Sequence, residues 1–168
     1  IKELKEVRRG RIHEAAKEFN NISFHEGERP WKVEGDCIIP SATQNEVSGK
    51  DAEILIRNGA TYVAEAANMP CEQMAVDAFM NADIKFGPAK AVNAGGVGVS
   101  GLEMSQNSAR IAWEEDRLRE LLETMMRDIH TSCVEYGSGK DGKVNYLKGA
   151  NIAGFVKVAD AMLSYGHV

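Results

Sequence analysis

Three short apolar segments constrain this chain more than anything else in it: CIIP (37–40), TYVAEA (61–66) and IKFGP (84–88). They are four to six residues long, and a helical stretch lies between each pair. A strand that is apolar on both faces must be covered on both faces, and a helical crossover is what parallel pairing needs. The pattern predicts an α/β, doubly wound arrangement. SGKDAEILIRNG (48–59) reads as a helix closed by Gly59. PCEQMAVDAFMNA (70–82) reads as a helix with Pro70 in its first turn.

The flanks are helical. Residues 1–19 carry Leu4, Val7, Ile12, Ala15 and Ala16 near helical period and predict one amphipathic helix. After Gly96 the strand signals stop. Helices are expected over SGLEMSQNSARIAW (100–113), over 114–136 with Leu118, Leu121, Leu122, Met125 and Ile129 on one side, and over 147–166. The last is rich in Ala and Gly, which lets a neighbour approach closely. GSGKDGKVN (137–145) reads as an exposed, mobile loop. Three consecutive helices suggest a tail that docks elsewhere, on a domain outside the chain.

With 168 residues the chain can hold one domain and its core, or one domain and part of another. A hydrophobic content of 43% and a charged content of 27% fit a water-soluble globular protein. The net charge of −5 disfavours nucleic acid or an anionic membrane as a partner. No apolar run is long enough to cross a bilayer, and the charged N-terminus does not read as a secretory signal. The chain does not begin with Met, so it is expected to be a piece of something longer. Cys37, Cys71 and Cys133 are odd in number and widely spaced, with no C-x-x-C and no His/Cys cluster. No metal site is expected, and the cysteines read as free thiols buried as small hydrophobes in a cytoplasmic protein.

Gly96-Val97-Gly98-Val99-Ser100-Gly101 spells G-x-G-x-x-G, the letters of a dinucleotide-binding turn. That turn needs a strand running directly into the glycines and a second strand ending in an acid. Here AKAVNA separates IKFGP from the glycines, and Glu114, Glu115 and Asp116 open a long helix. The βαβ context is missing, so the letters do not make a phosphate turn. Glycines there let a helix start close to another backbone or a ligand. Ser100 is expected just inside that helix start. It is either an ordinary helix-entry serine or a hydroxyl that, beside unpaired amides, holds a carboxylate.

Each apolar segment is followed by a small-residue loop carrying an asparagine: Asn45, Asn68 and Asn93. In an open parallel sheet ligands sit beyond the carboxyl ends of the strands. An Asn amide both donates and accepts, so it suits a ribose hydroxyl or a carboxamide, although Asn is also a common loop residue. Ala42, Ala67 and Ala94 leave room for a flat ring.

The words GERPW, ATQNE, AEAANMP, AVNAGGVGVSGLEMSQN and GANIAGFVKVADAM occur in this order along nearly the whole chain. Together they resemble the hexameric glutamate dehydrogenases of the bacterial and lower-eukaryote type. The resemblance implies a Rossmann-like partial parallel sheet followed by C-terminal helices. Residues 1–95 would be the second half of the NAD(P)-binding domain, and 96–168 a helical segment returning to an absent substrate domain. It implies reversible oxidative deamination of L-glutamate to 2-oxoglutarate and ammonia, with NADP or NAD as cofactor. The family's dinucleotide turn and its catalytic lysines and aspartate lie upstream, so no residue here is expected to be catalytic.

By the same resemblance Ser100 matches the serine that holds the substrate side-chain carboxylate, and Val97 lines that pocket. Ala42 and Thr43 match the loop beside the cofactor. Asn68 and Asn93 match the asparagines facing the nicotinamide ribose and carboxamide, while Asn45 either shares that surface or only shapes its loop. Ala66 stands where many members have Gly. Arg8, Arg9 and Arg11 either attract a 2′-phosphate, which favours NADP, or form a solvated helix face. The parent is expected to be a hexamer and this chain to self-associate through an open sheet edge and apolar helix faces. A dehydrogenase for an apolar amino acid and a stand-alone nucleotide-binding or assembly module are the alternatives.

Overall fold

The computed structural model describes residues 1–166, which fall into two units, Ile1–Pro30 and the chain from Trp31 on. In the first unit the expected single helix is broken. A π-helical turn, Glu3–Val7, ends at Arg8, and Arg9 takes a left-handed φ of 56°. Arg11 is extended before a 3-10 turn, Ile12–Glu14, and helix α1 (Ala15–Glu18). The break has a local cause. The Gly10 N–H donates to the Leu4 carbonyl at 2.8 Å, and a Cβ at Gly10 would run into the Leu4 side chain. Arg8 pairs with Glu18 at 2.5 Å and Glu14 at 3.9 Å. The three arginines therefore share no continuous helix face, and Arg8 is engaged by carboxylates.

In the second unit the three apolar segments form a parallel sheet in the order β1 (Cys37–Ile38), β2 (Tyr62–Ala64), β3 (Lys85–Gly87). Ile38 pairs with Val63, and Val63 with Phe86. Helix α2 (Gly49–Arg57) is fixed at its start by Ser48, whose hydroxyl accepts from the Asp51 N–H while the Asp51 carboxylate accepts from the Ser48 N–H. Helix α3 (Gln73–Asn81) lies beside it. Leu55, Val63, Ala75, Phe79 and Phe86 meet in the core between helices and sheet, with the rings of Phe79 and Phe86 stacked 6.2 Å apart. Pro70 is not in the first turn of α3. Val47 bridges Cys71 in parallel and accepts the Glu72 N–H at 3.0 Å, which keeps residues 70–72 extended until Glu72 caps the helix.

Beyond β3 come α4 (Ala89–Val92), α5 (Ala94–Ala109), α6 (Glu115–Gly137) and α7 (Tyr146–Tyr165). This is the Rossmann-like partial sheet with C-terminal helices. The tail is not detached: α6 and α7 pack along each other, and α7 reaches β3. Gly149 makes this crossing possible, because a Cβ there would be driven into the Cys133 backbone carbonyl. Residues 95 and 96 both fall inside α5. The loop after α6 is exposed but held: Ser138 bridges Val144, and Lys143 pairs with Asp83 at 2.5 Å. The outer side of α7 exposes Phe155, Met162 and Leu163.

Cys71 and Cys133 are buried as expected, but Cys37, on the edge strand, is exposed. Burial pushes both buried thiols up, at Cys71 with help from neighbouring Glu65. A disulfide-exchange reagent at pH 8 should therefore label Cys37 alone in the folded chain and all three thiols in urea. Gly149→Ala should cost about 3 kcal/mol in urea unfolding, because the new methyl meets backbone that cannot rotate away. A loss near zero would mean that the two helices cross with room to spare.

Candidate functional site

At the carboxyl ends of the strands lies a cleft of about 670 Å3. Its first wall is the loop after β1. The Pro40 carbonyl accepts from the N–H groups of Ala66 and Ala67 at 3.0 and 3.1 Å, which ties this wall to the end of β2. The Ala42 N–H donates to the Glu46 carboxylate at 2.9 Å and curls the loop. Asn45 has a φ of 54°, a left-handed conformation that Asn tolerates, and its N–H donates to the Met69 carbonyl at 3.0 Å. Asn45 shapes the loop rather than lining the cleft.

Asn68 and Asn93 meet at the next wall. The Asn93 Nδ2 donates to Asn68 Oδ1 at 2.7 Å and to the Ala67 carbonyl at 3.1 Å. This leaves Asn93 Oδ1 as an acceptor and Asn68 Nδ2 as a donor, neither engaged by another described residue. An adjacent donor and acceptor match a carboxamide or a pair of vicinal hydroxyls. Asn93 owes its place to its position between α4 and α5, where it caps the first and precedes the second.

Ala42, Asn68, Asn93 and Val97 thus line one cleft. Thr43 is exposed in the loop between the lining residues Ala42 and Gln44. Ser100 lies one turn beyond Gly96 on α5, next to the cleft rather than in its wall. The expectation that Ser100 sits at a helix start is corrected. α5 begins at Ala94, so the unpaired amides belong to an earlier turn. The exposed Ser100 hydroxyl donates back to the Gly96 carbonyl at 3.3 Å. The glycine run misled because glycines read as a helix entry. Here α4 and Asn93 start the helix ahead of them.

The G-x-G-x-x-G is helical throughout, and β3 is separated from it by α4. Its glycines do two different things. A Cβ at Gly98 would strike Met125 of α6, and one at neighbouring Gly95 would touch Leu122 and Met126, so that side is for packing. Gly96 faces the cleft, where a Cβ would meet nothing.

Sequence reasoning missed Ser41 and Gln44 in the wall and Glu65 behind it. The signal for Glu65 was an acid directly after an apolar strand, where burial is costly without partners. No residue lining the cleft ionises. Among the described residues no cluster of His, Cys, Asp and Glu could hold a metal ion. The cleft can bind and orient a polar, uncharged group but has no acid or base of its own to move a proton.

The glutamate/leucine/phenylalanine/valine dehydrogenase family profile matches residues 1–166. A glutamate dehydrogenase of Bacteroides thetaiotaomicron is 50% identical over the whole chain, which spans 38% of that relative. An NADP-specific glutamate dehydrogenase of Salmonella typhimurium is 51% identical over 98% of the chain and 36% of its own length. The crystal structure of Plasmodium falciparum glutamate dehydrogenase superposes with a TM-score of 0.92 at 40% identity, over 99% of this chain and 36% of that one. The chain therefore spans little more than a third of its relatives' length. With the parallel sheet, the strand-end cleft and a match running through residues 1–166, the chain belongs to the glutamate/leucine/phenylalanine/valine dehydrogenase family.

Proposed function

We propose that this chain is the C-terminal part of a glutamate dehydrogenase. The complete protein interconverts L-glutamate with 2-oxoglutarate and ammonia, using NADP or NAD. The observation that carries the reading is the Asn68–Asn93 pair, which presents a donor and an acceptor side by side in an uncharged cleft at the strand ends. Support comes from relatives about half identical to this chain that bear that enzyme name.

In this reading the bound nucleotide supplies the hydride acceptor. Asn68 and Asn93 hold the nicotinamide carboxamide and ribose, and Ala42 and Thr43 border them. Val97 and Ser100 meet the substrate from the cofactor side, Ser100 by turning its hydroxyl from the Gly96 carbonyl to the substrate side-chain carboxylate. Residues that move protons belong to an upstream substrate domain, so this chain contributes binding and orientation only. Hydride transfer needs the ring and the substrate Cα close together, and a rigid wall at the strand ends serves that. NADP is the proposed cofactor. NAD is tested beside it, because an NAD-specific relative from Bacteroides fragilis is also 50% identical. The protein is proposed to be cytoplasmic and to assemble as a homohexamer. No described helix is long and apolar enough to cross a membrane.

Full-length protein should reduce NADP in the presence of glutamate. Ser100→Ala should raise the glutamate KM about tenfold, the size expected for one lost charge-assisted hydrogen bond. The cofactor KM should stay within about twofold. Equal loss for both ligands in steady-state kinetics would remove Ser100 from the substrate site. Turnover of leucine or valine instead of glutamate would move the protein to the apolar-substrate branch of the family.

A further inference from the structure

Glu65 is the one buried charged residue among the described residues, with 6% of its surface exposed. It follows β2 directly, in the middle of the sheet, behind the wall that carries Asn68 and Asn93. No described cation pairs with it. Its charge is held instead by two backbone amides from two different segments. Oε1 accepts from the Cys71 N–H at 3.2 Å, and Oε2 accepts from the Ala89 N–H at 2.8 Å. The Cys71 thiol also lies against this carboxylate, but the two amide bonds tie it to both segments, and burying it is costly unless both are made, which fixes where both donors must stand.

Those donors belong to the two limbs of the cleft wall. Cys71 closes the loop that begins at Ala66 and carries Asn68. Ala89 opens α4, where Pro88 stands at the N-cap and supplies no side-chain acceptor. Glu65 supplies it from another strand. One turn later the Asn93 N–H donates to the Ala89 carbonyl at 2.9 Å, and the Asn93 amide reaches Asn68. A closed circuit of hydrogen bonds thus runs from Glu65 through Ala89 and Asn93 to Asn68, and back along the chain to Cys71.

We propose that Glu65 is a positioning residue whose buried carboxylate sets the spacing of Asn68 and Asn93 and thereby the affinity for the nicotinamide cofactor. The proposal rests on the glutamate dehydrogenase reading above and adds to it a residue that touches neither ligand. Its neutral isostere cannot do the same work. The glutamine amide can accept one N–H, but its NH2 then faces the other donor.

The test is the full-length protein carrying Glu65→Gln and, separately, Ala89→Pro. The second removes the same bond from the other end. Proline suits the first helical position, and Pro88 already has the extended ψ of 150° that a following proline requires. Both variants should raise the cofactor KM about tenfold, the equivalent of one net hydrogen bond. The glutamate KM, and kcat at saturating cofactor, should change by less than about twofold. A cofactor KM unchanged in both variants, or a fall in thermal stability with both KM values raised alike, would overturn the proposal and leave Glu65 a purely structural cap. Failure of both variants to fold would overturn it in the same way. A wild-type protein that turns over neither NADP nor NAD would instead sink the dehydrogenase reading, before any variant is compared.

Discussion

Everything at the candidate site inherits its position from β2. This strand is paired on both sides, and Val63 at its centre is buried between Ile38 and Phe86. Because pairing is parallel, all three strands deliver their loops to the same edge of the sheet. The Pro40 carbonyl, the Ala66 and Ala67 amides and the Glu65 carboxylate then join those loops to one another. A slip of one residue in β2 would turn Val63 out of the core and carry Glu65, Ala67 and Asn68 away from their partners.

The sheet was legible because its three strands announce themselves as short apolar runs ended by Pro or followed by small residues. The asparagines at their ends were legible for the same reason: loop position follows from strand position. What stayed hidden depends on contacts between distant segments. Nothing in residues 1–19 shows that Gly10 closes on Leu4 and breaks the helix. Nothing near Pro70 shows that Val47 will hold the next two residues extended. The partners of Glu65 lie 6 and 24 residues along the chain, beyond the reach of any local pattern.

The glycine-rich stretch shows how a motif can match in letters and differ in physics. A phosphate turn needs glycines where the backbone bends. In α5 the backbone does not bend. Gly98 gives the Met125 side chain of α6 its space, Gly95 sits at ordinary contact distance from Leu122 and Met126, and Gly96 leaves the cleft side open. The helix cost of several glycines, about 1 kcal/mol each relative to alanine, is offset by the packing of α5 on α6.

Asn93, Val97 and Ser100 stand on one continuous stretch of helix backbone, at its cap and in its first and second turns. The groups proposed to read cofactor and substrate are thus mounted on a single rod. Seven residues at the helical rise place Ser100 about 10 Å along the axis from Asn93. The rod acts as a ruler that separates two ligands by counting residues. Its length tolerates no editing: inserting or deleting one residue between Asn93 and Ser100 would swing the serine by about 100° and off the face it shares with Gly96. Substitutions on the far side can be absorbed by the flexible methionines of α6, but a change in register cannot.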